Sequence, residues 1–122
     1  MARQEDSSGH SFLAYFKRAT SPLAVLRILA DRPMYGYELI QELKQRSDGK
    51  YQLSLLYPVL YRLEEQGYVR ISASQIVDGR ARNYYALTAE GLEYLQQTLD
   101  EYSEISEAFQ QLMKGLNKNG TQ

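Results

Sequence analysis

The sequence predicts a mainly α fold with a small β-hairpin (α+β), and three observations predict it. Apolar residues recur at helical spacing in three short segments between residues 21 and 66, joined by short connectors. An alternating stretch then turns at Asp78-Gly79, a dipeptide suited to a two-residue hairpin. A last helical segment carries an apolar seam longer than so small a core can cover. Three helices and a basic hairpin make a winged helix-turn-helix, here with a C-terminal helix suited to dimerisation.

Residues 1–10 are polar and read as a disordered tail. Residues 11–20 form a short amphipathic arm helix with Phe12, Leu13 and Phe16 on one face. Ser21-Pro22 signals a new helix start, with Ser as N-cap and Pro at the first helical position. That helix buries Leu23, Val25, Leu26 and Leu29 and stops before Pro33. Gly36 opens the next, with Leu39, Ile40 and Leu43 inside and Gly49 suited to a left-handed cap.

The third helix starts after Ser54, read as its N-cap, and ends at Gly67. Leu56, Val59, Leu60 and Leu63 share its inner face. Ser54, Pro58, Tyr61, Arg62 and Glu65 lie opposite, with Tyr57 on the flank. Pro58 is tolerated because first-turn N–H groups have no partner within the helix. The hairpin follows, with Val69, Ile71 and Ala73 predicted inward on one strand and Tyr85 and Leu87 on the other. Residues 21–88 thus make one winged domain whose wing carries Arg80 and Arg82 at its tip. Thr88 caps a last helix over residues 89–118. Its seam of Leu92, Leu95, Leu99, Tyr102, Phe109, Met113 and Leu116 is interrupted by Ser106, and its length points to a homodimer.

Composition excludes several classes. Of 122 residues, 43% are hydrophobic and 24% charged, as in a globular domain, and none is cysteine, so disulfides and thiolate chemistry are absent. With one histidine, no glycine-rich phosphate loop and no metal-ligand spacing, the chain is not expected to be an enzyme or to hold a metal or cofactor. No apolar run spans a membrane and no signal segment precedes the domain, so the chain reads as cytoplasmic. The net charge of −1 hides a division. Residues 1–88 hold 12 Lys and Arg against 9 Asp and Glu, whereas residues 89–122 hold 2 against 6. Phosphate attraction depends on the local field within roughly 8–10 Å, so an acidic last helix pointing away does not prevent DNA binding.

Three motifs carry a resemblance to the PadR family of bacterial transcriptional regulators. They are Tyr35-Gly36-Tyr37-Glu38-Leu39, the run Leu56-Tyr57-Pro58-Val59-Leu60-Tyr61-Arg62-Leu63-Glu64-Glu65-Gln66-Gly67, and Gly79-Arg80 with Tyr84-Tyr85-Ala86-Leu87-Thr88-Ala89-Glu90-Gly91. The similarity covers roughly residues 22–116, in the smaller of the family's two size classes. It implies a dimeric repressor binding a two-fold, double-stranded DNA operator through its third helix. Tyr57 and Tyr61 resemble residues that touch DNA in that family. Arg62 is then a phosphate clamp, the alternative being a surface salt bridge to Glu65 or Glu38, and Ser54 offers its hydroxyl to another phosphate. Pro58 shares the exposed face, Arg80 and Arg82 reach an adjacent groove, and Tyr37 is either a further phosphate contact or a core ring.

The resemblance also implies that Phe12 and Phe16 pack on the partner's last helix. It further implies a small aromatic effector at the dimer interface, where Tyr15, Phe16, Tyr102 and Phe109 are the aromatic candidates. The rival reading is a winged-helix module that docks on another protein without binding DNA.

Overall fold

A computed structural model of the protein describes residues 10–116. The expected tail lies outside this range except for His10, as do residues 117 and 118 of the expected last helix, which instead ends at Met113, ahead of Gly115 at φ 86°. Six elements follow in order: α1 (Phe12–Leu29), α2 (Gly36–Arg46), α3 (Leu56–Glu65), β1 (Val69–Val77), β2 (Arg80–Leu87) and α4 (Ala89–Met113). The mainly α fold with one hairpin matches the sequence reading.

The helix start expected at Ser21-Pro22 does not occur, because the arm and the first helix are one unbroken element. The capping residue is Ser11, whose hydroxyl accepts the Ala14 N–H at 3.1 Å. Thr20 and Ser21 donate their hydroxyls back to the Phe16 and Lys17 carbonyls, one turn earlier. Pro22 brings no N–H to the ladder, but its fixed φ is helical and the flanking turns carry the helix across it. The boundary drawn at residue 20 therefore falls in mid-helix.

One core joins the three helices to the base of the hairpin. Val25, Leu26, Ile28 and Leu29 of α1 meet Leu39 and Leu43 of α2 and Leu56, Leu60 and Leu63 of α3. Leu23, Ile40 and Val59, expected inside, are only partly buried at its margin. At the α1–α2 corner Asp31 takes Arg46 at 2.7 Å and Arg27 at 3.0 Å. Those two guanidiniums, Arg46 first, hold its carboxyl below the usual value.

Two helix ends depend on backbone geometry. After α2, Asp48 and Gly49 both take positive φ. After α3, Gly67 at φ 81° lets the Tyr68 N–H reach the Leu63 carbonyl at 2.9 Å and its own N–H reach that of Glu64 at 3.0 Å. This paired arrangement satisfies two carbonyls that a helix end otherwise leaves open.

The hairpin turns through Asp78 and Gly79, both at positive φ, with Val77 opposite Arg80. That is the geometry a tight two-residue hairpin requires. The inward alternation expected for β1 fails after its first residue. Val69 is buried, but Ile71 is 39% exposed, and the register shifts between Ile71 and Ala73. The shift breaks the period of two, and from there the strand runs out past the core paired only with β2. On β2, Tyr85 and Ala86 are buried and Leu87 partly so. Met34, from the α1–α2 loop, pairs with Tyr85 in both directions at 2.8 and 3.0 Å, pinning the ribbon to the helices.

At the start of α4 the Thr88 hydroxyl accepts the Gly91 N–H at 3.0 Å and donates to the Gly67 carbonyl at 2.7 Å. Tyr68 and Tyr94 stack at 4.3 Å across this junction. Leu95 is buried at 4% exposure in its own core, so it anchors α4 rather than lining a free seam. Beyond it the helix leaves the core. Its 25 residues rise about 37 Å. Among the described residues no helix is long and apolar enough to cross a membrane.

Candidate nucleic-acid interface

A cleft of about 600 Å³ opens between the start of α2, the exposed side of α3 and the wing. Each wall has a structural reason. Tyr35 precedes α2 in extended conformation, its N–H donating to the Glu38 carboxylate at 3.3 Å. That places Tyr35 and Tyr37 beside one another, rings stacked at 6.4 Å. From α3 come Tyr57 and Tyr61, one turn apart with ring centres at 6.1 Å. From the wing come Arg80 and Arg82, two residues apart and therefore on the same face of β2.

Gly36 makes the close fit at the back of the cleft. A Cβ there would collide with the Tyr57 hydroxyl, so the ring lies directly over the glycine backbone. Tyr57 thus has one side seated on the protein and one side open. Arg82 lies over the Tyr35 ring at 4.2 Å, and Tyr84 meets that ring edge-on at 5.4 Å. Tyr85 lines the same cleft, and burial, reinforced by Tyr61, Glu64 and Tyr57, pushes its phenol above the usual value.

The residues expected to bind DNA fall into two groups. Tyr37, Tyr57, Tyr61, Arg80 and Arg82 line the cleft together. Ser54, Pro58 and Arg62 do not line it, though all three are exposed on or beside α3. Ser54 is not the cap of α3: that position belongs to Leu55, with no side-chain capping bond. Glu38, one suggested partner for Arg62, is instead bound to Arg32 at 3.2 Å. Among the described residues Arg62 makes no ion pair, so its guanidinium is available. Tyr35 was not among the predicted site residues. As N-cap it sits outside any helical periodicity, and only its place two residues before Tyr37 hinted at a shared wall.

A second exposed surface runs along the first half of α1 and along α4. Phe12, Phe16, Leu92, Leu99, Tyr102, Phe109 and Met113 are solvent-exposed; Leu116 is exposed too, but it lies past the end of α4 at Met113 and so is not part of a helical seam. Ile105 and Leu112, at 67% and 78%, belong to the same surface though they fall off the expected spacing. Phe16 meets Tyr102 of its own chain edge-on at 6.4 Å, so this arm contact is intramolecular. Of the aromatic effector candidates, only that pair is brought together. Tyr15 shares a hydrogen bond with His10 at 2.9 Å, and Phe109 lies two turns further along α4.

Residues 25–97 match the model of the transcriptional regulator PadR-like family. A Lysinibacillus sphaericus protein is 33% identical over 94 residues, 75% of this chain and 86% of its own length. The Mycobacterium tuberculosis transcriptional regulator Rv3488 is 41% identical over 78 residues, 62% of this chain and 69% of its own. The crystal structure of a PadR family transcriptional regulator from Eggerthella lenta superposes with a TM-score of 0.72 at 28% identity, covering 83% of this chain and 88% of that one.

Proposed function

Since the chain belongs to the PadR-like family of transcriptional regulators, we propose that it represses transcription by binding a two-fold DNA operator as a homodimer. The observation that carries this reading is the cleft itself. Phenol hydroxyls and two guanidiniums line the space between α3 and the wing. These groups suit phosphate oxygens and base edges, while the exposed face of α3 is free to enter a major groove. Arg62, without an ion-pair partner among the described residues, adds a cation on that face.

The dimer follows from the second surface. Large apolar side chains along α1 and α4 lie open to solvent over a length that single scattered residues do not explain. Pairing two copies through α4 sets the separation of their α3 helices. A small aromatic effector at the Phe16–Tyr102 pair would change that separation and release the operator.

A protein-docking module would place apolar side chains in the cleft, and its wing arginines and phenol hydroxyls argue against that rival. Selection from random duplexes at moderate salt tests the reading. Enrichment of an inverted repeat, with half-sites about 10 bp apart, supports it. Absence of enrichment, with only weak binding lost steeply as salt rises, overturns it.

A further inference from the structure

Three leucines lie within four residues at the entry to α3, and they have different fates. Leu56 is fully buried, Leu53 packs against the core margin, and Leu55 projects into solvent at 70% exposure. Leu55 is also the N-cap, at φ −115° and ψ 49°, and makes no side-chain capping bond. That position favours Ser, Thr, Asn or Asp, whose oxygens satisfy an open N–H. A large apolar side chain there forgoes the cap and exposes its own surface, so folding gives no reason for it. A residue that breaks a local rule without a compensating contact is a candidate for function.

Its neighbours indicate which function. Leu55, Pro58 and Arg62 stand at i, i+3 and i+7, one exposed stripe along α3 beside the cleft. The amino-terminal end of such a helix is the part that meets base edges. In the major groove the apolar group presented at a base edge is the C5-methyl of thymine. A leucine cannot hydrogen-bond, and it would leave the amino group of cytosine or adenine unpaired.

We infer that Leu55 is a specificity-determining residue that reads the methyl group of one thymine in each half-site. The inference rests on the DNA-binding reading above and adds a base preference to it.

Uracil scanning provides the test. In an operator selected from random duplexes, each thymine is replaced symmetrically by deoxyuridine, which keeps every hydrogen-bonding group and removes only the methyl. The wild-type protein should lose about fourfold in affinity per half-site at one thymine position, the value of burying one methyl. Leu55→Ala and Leu55→Ser should bind thymine and uracil duplexes alike, with Leu55→Ser melting no lower than wild type because serine restores a cap. If the variants keep the wild-type discrimination, or if no uracil position affects the wild type, the assignment to Leu55 is overturned while operator binding stands. A wild-type protein that binds no duplex would overturn the DNA reading itself.

Discussion

The guanidinium of Arg82 lies 4.2 Å from the centre of the Tyr35 ring, joining the wing to the start of α2. Both residues are partly buried, and contacts of this kind contribute roughly 0.5–1 kcal/mol where they remain near solvent. The two wing arginines therefore differ. Arg82 is held in place by the protein, whereas Arg80, at the turn, is exposed. A double-mutant cycle with Arg82→Ala and Tyr35→Leu, read by denaturant unfolding, should return a coupling of about that size. Arg80→Ala should leave stability unchanged and reduce the salt dependence of operator binding by about one phosphate contact per protomer. Equal effects of the two arginines on stability would contradict this division.

Gly36 and Gly91 both exclude a side chain, but against different neighbours. A Cβ at Gly36 meets the end of the Tyr57 ring, which can swing away, while one at Gly91 meets the Tyr68 backbone carbonyl. Gly36→Ala should therefore melt near wild type yet weaken operator binding about as much as Tyr57→Ala. Gly91→Ala should cost about 1–3 kcal/mol, because the backbone must shift. Thermal melts and operator titrations of the two variants separate these outcomes.

Asp31 sets an acid-side dependence. Its carboxyl is held below the usual carboxylate value by hydrogen bonds from Arg46 and then Arg27. A depressed folded-state pKa contributes stability that is fully present above the unfolded value and lost as pH falls through the folded value. The melting temperature should therefore fall below about pH 4, and Asp31→Asn should flatten that slope. An unchanged slope in the variant would show that the Arg27–Asp31–Arg46 bridge does not contribute.

Periodicity made most of this fold readable. Leu26, Leu39, Leu60 and Leu63 announced one core, and Asp78-Gly79 announced the turn. The misreadings share a physical origin, since each followed one local signal that another contact overrode. Ser21-Pro22 is a good helix start in isolation, but Ser11 caps the helix earlier and Ser21 turns its hydroxyl inward. Ile71 alternates correctly with Val69, yet the register shift and the outward run of the wing leave it exposed. Leu95 fits the seam by spacing, and only the Tyr68–Tyr94 junction shows that α4 is still inside the core there. Within the site, the tyrosines of α3 followed from helical geometry. The role of Tyr35 needed the wing folded back over it.

The proposed dimer depends on the apolar surface of α4. Ile105→Glu with Leu112→Glu places two charges on its most exposed apolar positions. Sedimentation should show a monomer that melts like the parent domain in its winged part. Operator affinity should fall about a hundredfold or more, as two half-sites cease to be linked. A dimer that persists in this variant would move the interface elsewhere.

The most direct measurement is a fluorescence anisotropy titration of the selected operator with wild type, Tyr61→Ala and Arg62→Ala, alongside thermal melts. Both side chains are exposed on α3, so both variants should melt with the wild type. Each should bind about tenfold or more weakly, Arg62→Ala with a lower salt dependence. Wild-type affinity in both variants would mean that this face of α3 does not meet the operator, and the account of the interface would be wrong.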